Sequence, residues 1–499
     1  MLSPDAFAGA IALLSSSWEP WLVVVPGLMI GLFAGATPGF QVSMAMAIVL
    51  PFTYYMDFLS AVLFLTAIFT GGGYGSSIPA ILMNIPGSSA AVATAFDGYP
   101  MTRQGRFDEA LGLALGASCI GAALSYLLLL LVISPLSTAV LKLGPSELFV
   151  IVLWGISLIA LLSAESMVKG LLAGLVGLLL GTVGMSATGA IRGTFGLPVL
   201  LDGVPVVPAM IGLFAVSELF TLLGRSYIVD DEHRAKVRVS RIAAGLLRTV
   251  RYPVIVLRGS AIGALVGAVP GVGASVSNLV SYAETKRRSR EPESFGRGNP
   301  RGVIASESAN SSSEGGSMVT LLALGIPGGA GTAVLLAAFN IHNVTGGPRF
   351  ILENMDVVYA IVLANFVQVV LLLVLGLGFI RLIALVVHIP VRVLVPTILA
   401  LCVFGAYGIT GSMSGPITVV IAGLLGWWMR RHGYPVAAAV VGLLLGRMAE
   451  GELIRTWQIS GGQASYLLER PVTLILVALL VLSLFGGRLL RGLRRRFLP

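Results

Sequence analysis

The chain is read as an all-α, polytopic integral membrane protein, with about ten to twelve transmembrane helices in two inverted-topology repeats. Three observations lead to that class. Hydrophobic residues fill 56% of the 499 positions and charged residues 11%, with a mean hydropathy of +0.93; a soluble domain carries about 25% charged residues. Apolar runs recur along the whole length, at 110–133, 148–162, 171–180, 209–223, 357–380, 399–406, 437–445 and 472–485. The third observation is a duplication of glycine- and proline-broken motifs.

Gly31-Leu32-Phe33-Ala34-Gly35-Ala36-Thr37-Pro38-Gly39 returns 232 residues later as Gly263-Ala264-Leu265-Val266-Gly267-Ala268-Val269-Pro270-Gly271. Gly75-Ser76-Ser77-Ile78, followed by Asn84-Ile85-Pro86-Gly87-Ser88-Ser89, returns at an offset of 241 as Gly316-Ser317-Met318-Val319 and Gly325-Ile326-Pro327-Gly328-Gly329-Ala330. Paired, interrupted apolar segments at matching places in two halves are the mark of a transporter's substrate site. The chain therefore divides into a first membrane repeat (20–224), a basic connector (225–258), a second membrane repeat (259–485) and a basic tail (486–499).

Charge sets the expected orientation. Residues 1–102 contain no Lys or Arg, and the N-terminus lacks the basic start of a cleavable signal. Fourteen of the 32 basic residues fall between Arg225 and Arg301, and the end carries Arg488, Arg491, Arg494, Arg495 and Arg496. Short Lys/Arg-rich loops mark the cytoplasmic side. On that rule the first repeat starts outside and the second inside, and the net charge of +9 reports topology and anionic lipid contact, not nucleic acid.

The breaks carry the chemistry. Pro86-Gly87 and Pro327-Gly328 end one helix, and Ser88 or Ser89 is placed to cap the next. A helix that starts inside the bilayer presents backbone N–H groups and partial positive charge, which suits a carboxylate. Asn84, Pro86, Gly87, Ser88, Ser89, Pro327, Gly328, Gly329 and Thr332 are thus the candidate substrate contacts. The unwound segments at Gly35, Pro38 and Gly39, and at Pro270, Gly271 and Gly273, expose carbonyls for a coupling cation or act as hinges, with Asn310 and Ser311 beside them. Close helix packing is the alternative reading of each single glycine. Glu307 stands either in the membrane segment or in a solvated cytoplasmic loop. Asp97 and Asp108-Glu109 flank Arg103-Gln104-Gly105-Arg106 and read as solvated helix ends with local ion pairs. Cys119 and Cys402 read as small core residues. His233, His342, His388 and His432 lack metal-ligand spacing, and no catalytic set stands out, so neither an enzyme nor a resident metal or cofactor is expected.

Ile78 through Ser88, then Ala91-Val92-Ala93-Thr94-Ala95-Phe96-Asp97-Gly98-Tyr99-Pro100-Met101, resemble the large permease of the tripartite tricarboxylate transporters, the TctA family. In the second half Pro270-Gly271-Val272-Gly273, Glu307 to Asn310, Leu324-Gly325-Ile326-Pro327-Gly328, Ile341-His342, Gly442 to Gly446 and Ile459-Ser460-Gly461-Gly462 follow the family's order. The resemblance implies a multi-pass permease of the bacterial inner membrane. It implies two partners, a periplasmic solute-binding protein and a small four-helix membrane subunit. It also implies uptake of an organic acid anion driven by an Na⁺ or H⁺ gradient and not by ATP. A homo-oligomer is compatible with it, and the competing reading is a stand-alone anion carrier or channel.

Overall fold

Glycine and proline decide where these helices stop and where they touch. The computed structural model describes residues 3–37, 40–140, 143–163, 166–186, 188–222, 239–270, 273–386, 391–463 and 466–482. Pro38, Gly39, Gly271, the first part of the connector (225–238) and the tail (486–499) lie outside the described residues, as does His388. Among the described residues, strand is confined to a short hairpin, Gly184–Met185 against Ile191–Arg192, and nearly all the rest is helical. The backbone forms two compact units: Met1–Leu136 with Val207–Trp427, and Ser137–Val206 with the chain from Trp428. Each unit draws on both halves of the sequence.

In the first unit, α1 (Pro4–Ser16) and α2 (Glu19–Ala36) each carry proline in the first turn, where a missing N–H costs nothing. After α3 (Val42–Val49), Asp57 caps α4 (Phe58–Gly75) by accepting the Ser60 N–H at 3.0 Å. The short α5 (Ser77–Met83) ends on Asn84, and a non-helical stretch and a 3₁₀ turn (Ser89–Ala91) lead into α6 (Val92–Arg103). Then comes α7 (Phe107–Val140). Later in the chain come α8 (Val239–Thr249), α9 (Pro253–Gly267), α10 (Gly273–Arg287), α11 (Pro300–Leu324), α12 (Ala330–Ile341) and α13 (Met355–Val386).

The two halves pack alike. α2 lies on α4, and α9 on α11. A Cβ on Gly75 would sit 2.7 Å from the Leu32 carbonyl, and one on Gly316 would overlap the carbonyl of Ala264, the counterpart of Leu32. Small residues thus let the backbones approach, the usual way helices associate in lipid. The helices before both Pro-Gly breaks also end on a left-handed residue at matching places, Asn84 (φ 58°) and Gly325 (φ 70°). Glycine takes that conformation without steric cost, and asparagine tolerates it.

Among the described residues four helices are long and apolar enough to cross a membrane: Glu19–Ala36, Phe58–Met83, Phe107–Leu136 and Met355–Ile380. Ser240–Thr249 and Pro253–Gly267, bent by 76°, make a fifth only when taken together as one span, and seven shorter apolar helices accompany them among the described residues. The expectation of about ten to twelve helices, some of them broken by glycine and proline, meets several apolar helices here, long and short. In the second unit, Met167–Gly181 packs on Val436–Ile459 through Gly177 and Gly442. Buried Glu147 there is held by Arg470 at 3.0 Å and by the Thr473 hydroxyl at 2.6 Å.

Candidate functional site

The two motifs of each half meet. Gly87 is buried so close to the Gly35 carbonyl that a Cβ would overlap it, and Gly328 stands in the same relation to Gly267, at 2.7 Å. Each Pro-Gly break is thereby seated on the first motif of its own half. Gly35 itself lies in α2, against α4, which matches the packing reading of that glycine.

The halves then cross. The Ser89 hydroxyl lies 2.5 Å from that of Ser275, near the start of α10, and Asn278 donates to the Ser89 and Ala90 carbonyls. Gly273, at φ 58°, lies beside Gly329, whose Cβ would sit 3.6 Å from the Gly273 Cα. The start of α10 thus lies between the first break and the second. Gly331 abuts the Phe69 ring of α4, and Asn310 Nδ2 donates to the Gly73 carbonyl at 3.2 Å. Ser311 is buried nearby, its hydroxyl facing Gly73.

Several candidate groups are already engaged. The Gly87 N–H donates to the Ser76 carbonyl at 3.1 Å. The Gly329 N–H donates to the fully buried Thr332 hydroxyl at 2.9 Å, fixing the start of α12. The serine cap expected for the helix after Pro86-Gly87 is not made: Ser88 at the cap position makes no side-chain capping bond, and Ser89 is turned to Ser275 instead. Asn84 is exposed, Pro86 and Ser88 are half-buried, and Pro270 and Pro327 are buried.

Through this region runs α11, buried over nearly its whole length despite its polar sequence. Glu307 is fully buried, which excludes the solvated-loop reading. It accepts from the Ser118 hydroxyl at 3.0 Å and from Thr94. Glu314, about two turns further on the same face, accepts from Thr70 at 2.7 Å and from Tyr126 at 2.6 Å. The polar stretch from Glu307 to Glu314 stands out in the sequence, but the partners Thr70, Thr94, Ser118 and Tyr126 do not, since they lie in the other half of the chain. No ion pair joins either glutamate to a basic residue among the described residues.

Asp97 corrects another expectation. It is not a solvated helix end but fully buried, accepting on Oδ1 from the N–H groups of Gly296, Gly298 and Asn299 at 2.8–2.9 Å. Its Oδ2 accepts from the Tyr282 hydroxyl at 2.9 Å. Glu109 does make the local ion pair expected, with Arg106 at 2.9 Å, and adds Arg248.

Residues 21–441 match the tripartite tricarboxylate transporter TctA family. The chain belongs to that family. Membership makes it a multi-pass membrane protein and a component of a transporter. It is 34% identical over 458 residues to an uncharacterized 52.8 kDa protein in the TAR-I ttuC' 3' region of Agrobacterium vitis, covering 91% of this chain and 90% of the relative. An uncharacterized protein in the TAR-II ttuC' 3' region of the same organism is 32% identical over 217 residues, 44% of this chain and 90% of its own. No solved structure matches. Within the TctA match lie both Pro-Gly breaks, α11 and its two glutamates.

Proposed function

We propose that this TctA chain is the large permease subunit of a tripartite secondary uptake system for tricarboxylates or related organic acid anions, in the bacterial inner membrane. A periplasmic solute-binding protein hands over the anion, a small four-helix membrane subunit completes the complex, and an Na⁺ or H⁺ gradient drives accumulation. The single observation that carries this reading is the duplicated break, seated in each half on that half's own first motif and linked across halves through Ser89 and Ser275.

In this reading the two halves are inverted repeats, and the starts of α6 and α12 offer backbone N–H groups to the substrate carboxylates. Burial of a bare carboxylate in a membrane is costly unless a positive charge compensates it. Glu307 and Glu314 are wrapped by hydroxyls from the first half and carry the coupling cation, which supplies that charge. Hydroxyls suit both states, since each can donate to a carboxylate or accept from a carboxylic acid.

The test is uptake of labelled citrate and a panel of dicarboxylates into cells carrying this chain with its small subunit. It is run with and without the binding protein, in sodium and in choline medium. Accumulation that requires the binding protein supports the reading, and sodium dependence names the ion. Passive equilibration points instead to a channel, and uptake indifferent to the binding protein to a stand-alone carrier.

A further inference from the structure

Beside α8 the molecule carries a second site of a different kind. A cavity of about 410 Å³ opens where α9 begins and α10 ends, lined by Arg251, Arg258, Arg288, Arg290 and Arg301, with Tyr252. Among the described residues its lining contains no carboxylate. The neighbouring cavities, also rich in arginine, do include acids: one of about 610 Å³ has Glu291 and Glu293, and one of about 810 Å³ has Glu109. Arg288 pairs with Glu284, and the Arg301 guanidinium rests 5.7 Å from the centre of the Tyr252 ring. Arg251, Arg258 and Arg290 pair with no carboxylate among the described residues. Unpaired guanidiniums converging on one cavity call for an anion with several oxygens, and phosphate is the group whose geometry they match.

The surroundings say where that phosphate comes from. α8 is amphipathic: Ile242, Gly245 and Thr249 are buried against α7, while Arg241 and Leu247 face outward. Ser240–Thr249 then turns by 76° into Pro253–Gly267. Leu247, Val250, Val254 and Leu257, at and after this corner, are each more than half exposed. A helix lying in the interface, followed by a sharp turn into an apolar helix, sets arginines at headgroup level and bare aliphatic side chains at the level of the acyl chains.

We infer that the arginine cavity at the α8–α9 corner binds the phosphate of an anionic phospholipid, with the lipid's acyl chains lying along Val254 and Leu257. This site is separate from the Pro-Gly breaks and does not depend on what the permease carries. Anionic lipid held there fixes the corner that leads into the first motif of the second half.

The experiment titrates the full-length, detergent-purified chain with phosphatidylglycerol and with phosphatidylcholine, reading bound lipid by native mass spectrometry, with inorganic phosphate as a competitor. The wild-type chain retains phosphatidylglycerol in preference to phosphatidylcholine, and the preference weakens as salt rises. Substituting Arg251→Gln, Arg290→Gln and Arg301→Gln together lowers phosphatidylglycerol binding by at least about tenfold. Replacing the same three by lysine, which keeps the charge but not the planar fork, retains more than glutamine and less than the wild type, and Arg349→Gln, at an exposed arginine outside the cavity, changes nothing. Equal retention of both lipids by the wild type overturns the inference without recourse to any variant. So does a preference that survives the triple glutamine change. Displacement by inorganic phosphate at the lipid's own affinity overturns it in favour of a site for free anions.

Discussion

Asp97 receives three backbone N–H groups on one oxygen and a tyrosine hydroxyl on the other, all from residues in the second half of the chain. A hydrogen bond to a charged group contributes about 1.5–3 kcal/mol, and leaving buried donors unmet costs comparably. Asp97→Ala therefore destabilises the chain by about 3 kcal/mol or more, read as a lower apparent unfolding midpoint in detergent, and Asp97→Asn by less. An unchanged midpoint for the alanine variant would show that the 296–299 segment is held by other contacts. The partners of Asp97 stand 185 to 202 residues away. Nothing local in Asp97-Gly98-Tyr99-Pro100 distinguishes a buried staple from a solvated helix end, which is why the sequence suggested the latter. The partners of Glu314 were hidden for the same reason, since Thr70 and Tyr126 belong to the other half. On the proposed coupling role, Glu307→Gln and Glu314→Gln each abolish gradient-driven accumulation while substrate exchange at equal concentrations persists. Normal accumulation by both variants would remove these carboxylates from the coupling path.

At the scale of the element, the positions where helices end were legible because glycine, proline and asparagine act locally. Asn84 and Gly325 supply the left-handed residue, and Pro86-Gly87 and Pro327-Gly328 follow it. Which glycines face a neighbouring backbone was not legible, since a helix of Gly, Ala and Leu offers several candidate faces. The structure separates them: a Cβ on Gly267 would overlap the Ser313 carbonyl, whereas one on Gly378 of α13 meets nothing within 4 Å. Gly267→Leu thus forces α9 and α11 apart, at about 1–3 kcal/mol or more. Gly378→Ala is neutral or stabilises by about 0.5–1 kcal/mol, since alanine is the better helix former. Equal apparent unfolding midpoints for the two variants would refute the close packing of α9 on α11.

At the scale of the molecule, the duplication was visible in the sequence as two constant offsets, 232 and 241. What the offsets could not reveal is that the halves interlock, with the first break resting on a helix of the second half. If transport works by alternating access, with one repeat-derived bundle moving against the other, that contact must open and close as substrate crosses, and locking it is the direct test. Ser89→Cys and Ser275→Cys together place two thiols where hydroxyls lie 2.5 Å apart, close to the spacing of a disulfide. The native Cys119 and Cys402 are buried and stay out of the reaction. With the binding protein and small subunit present, oxidising the double variant should reduce carboxylate uptake to background, and a reductant should restore it. Full-rate uptake by the fully cross-linked protein would show that the first break and α10 need not separate during transport.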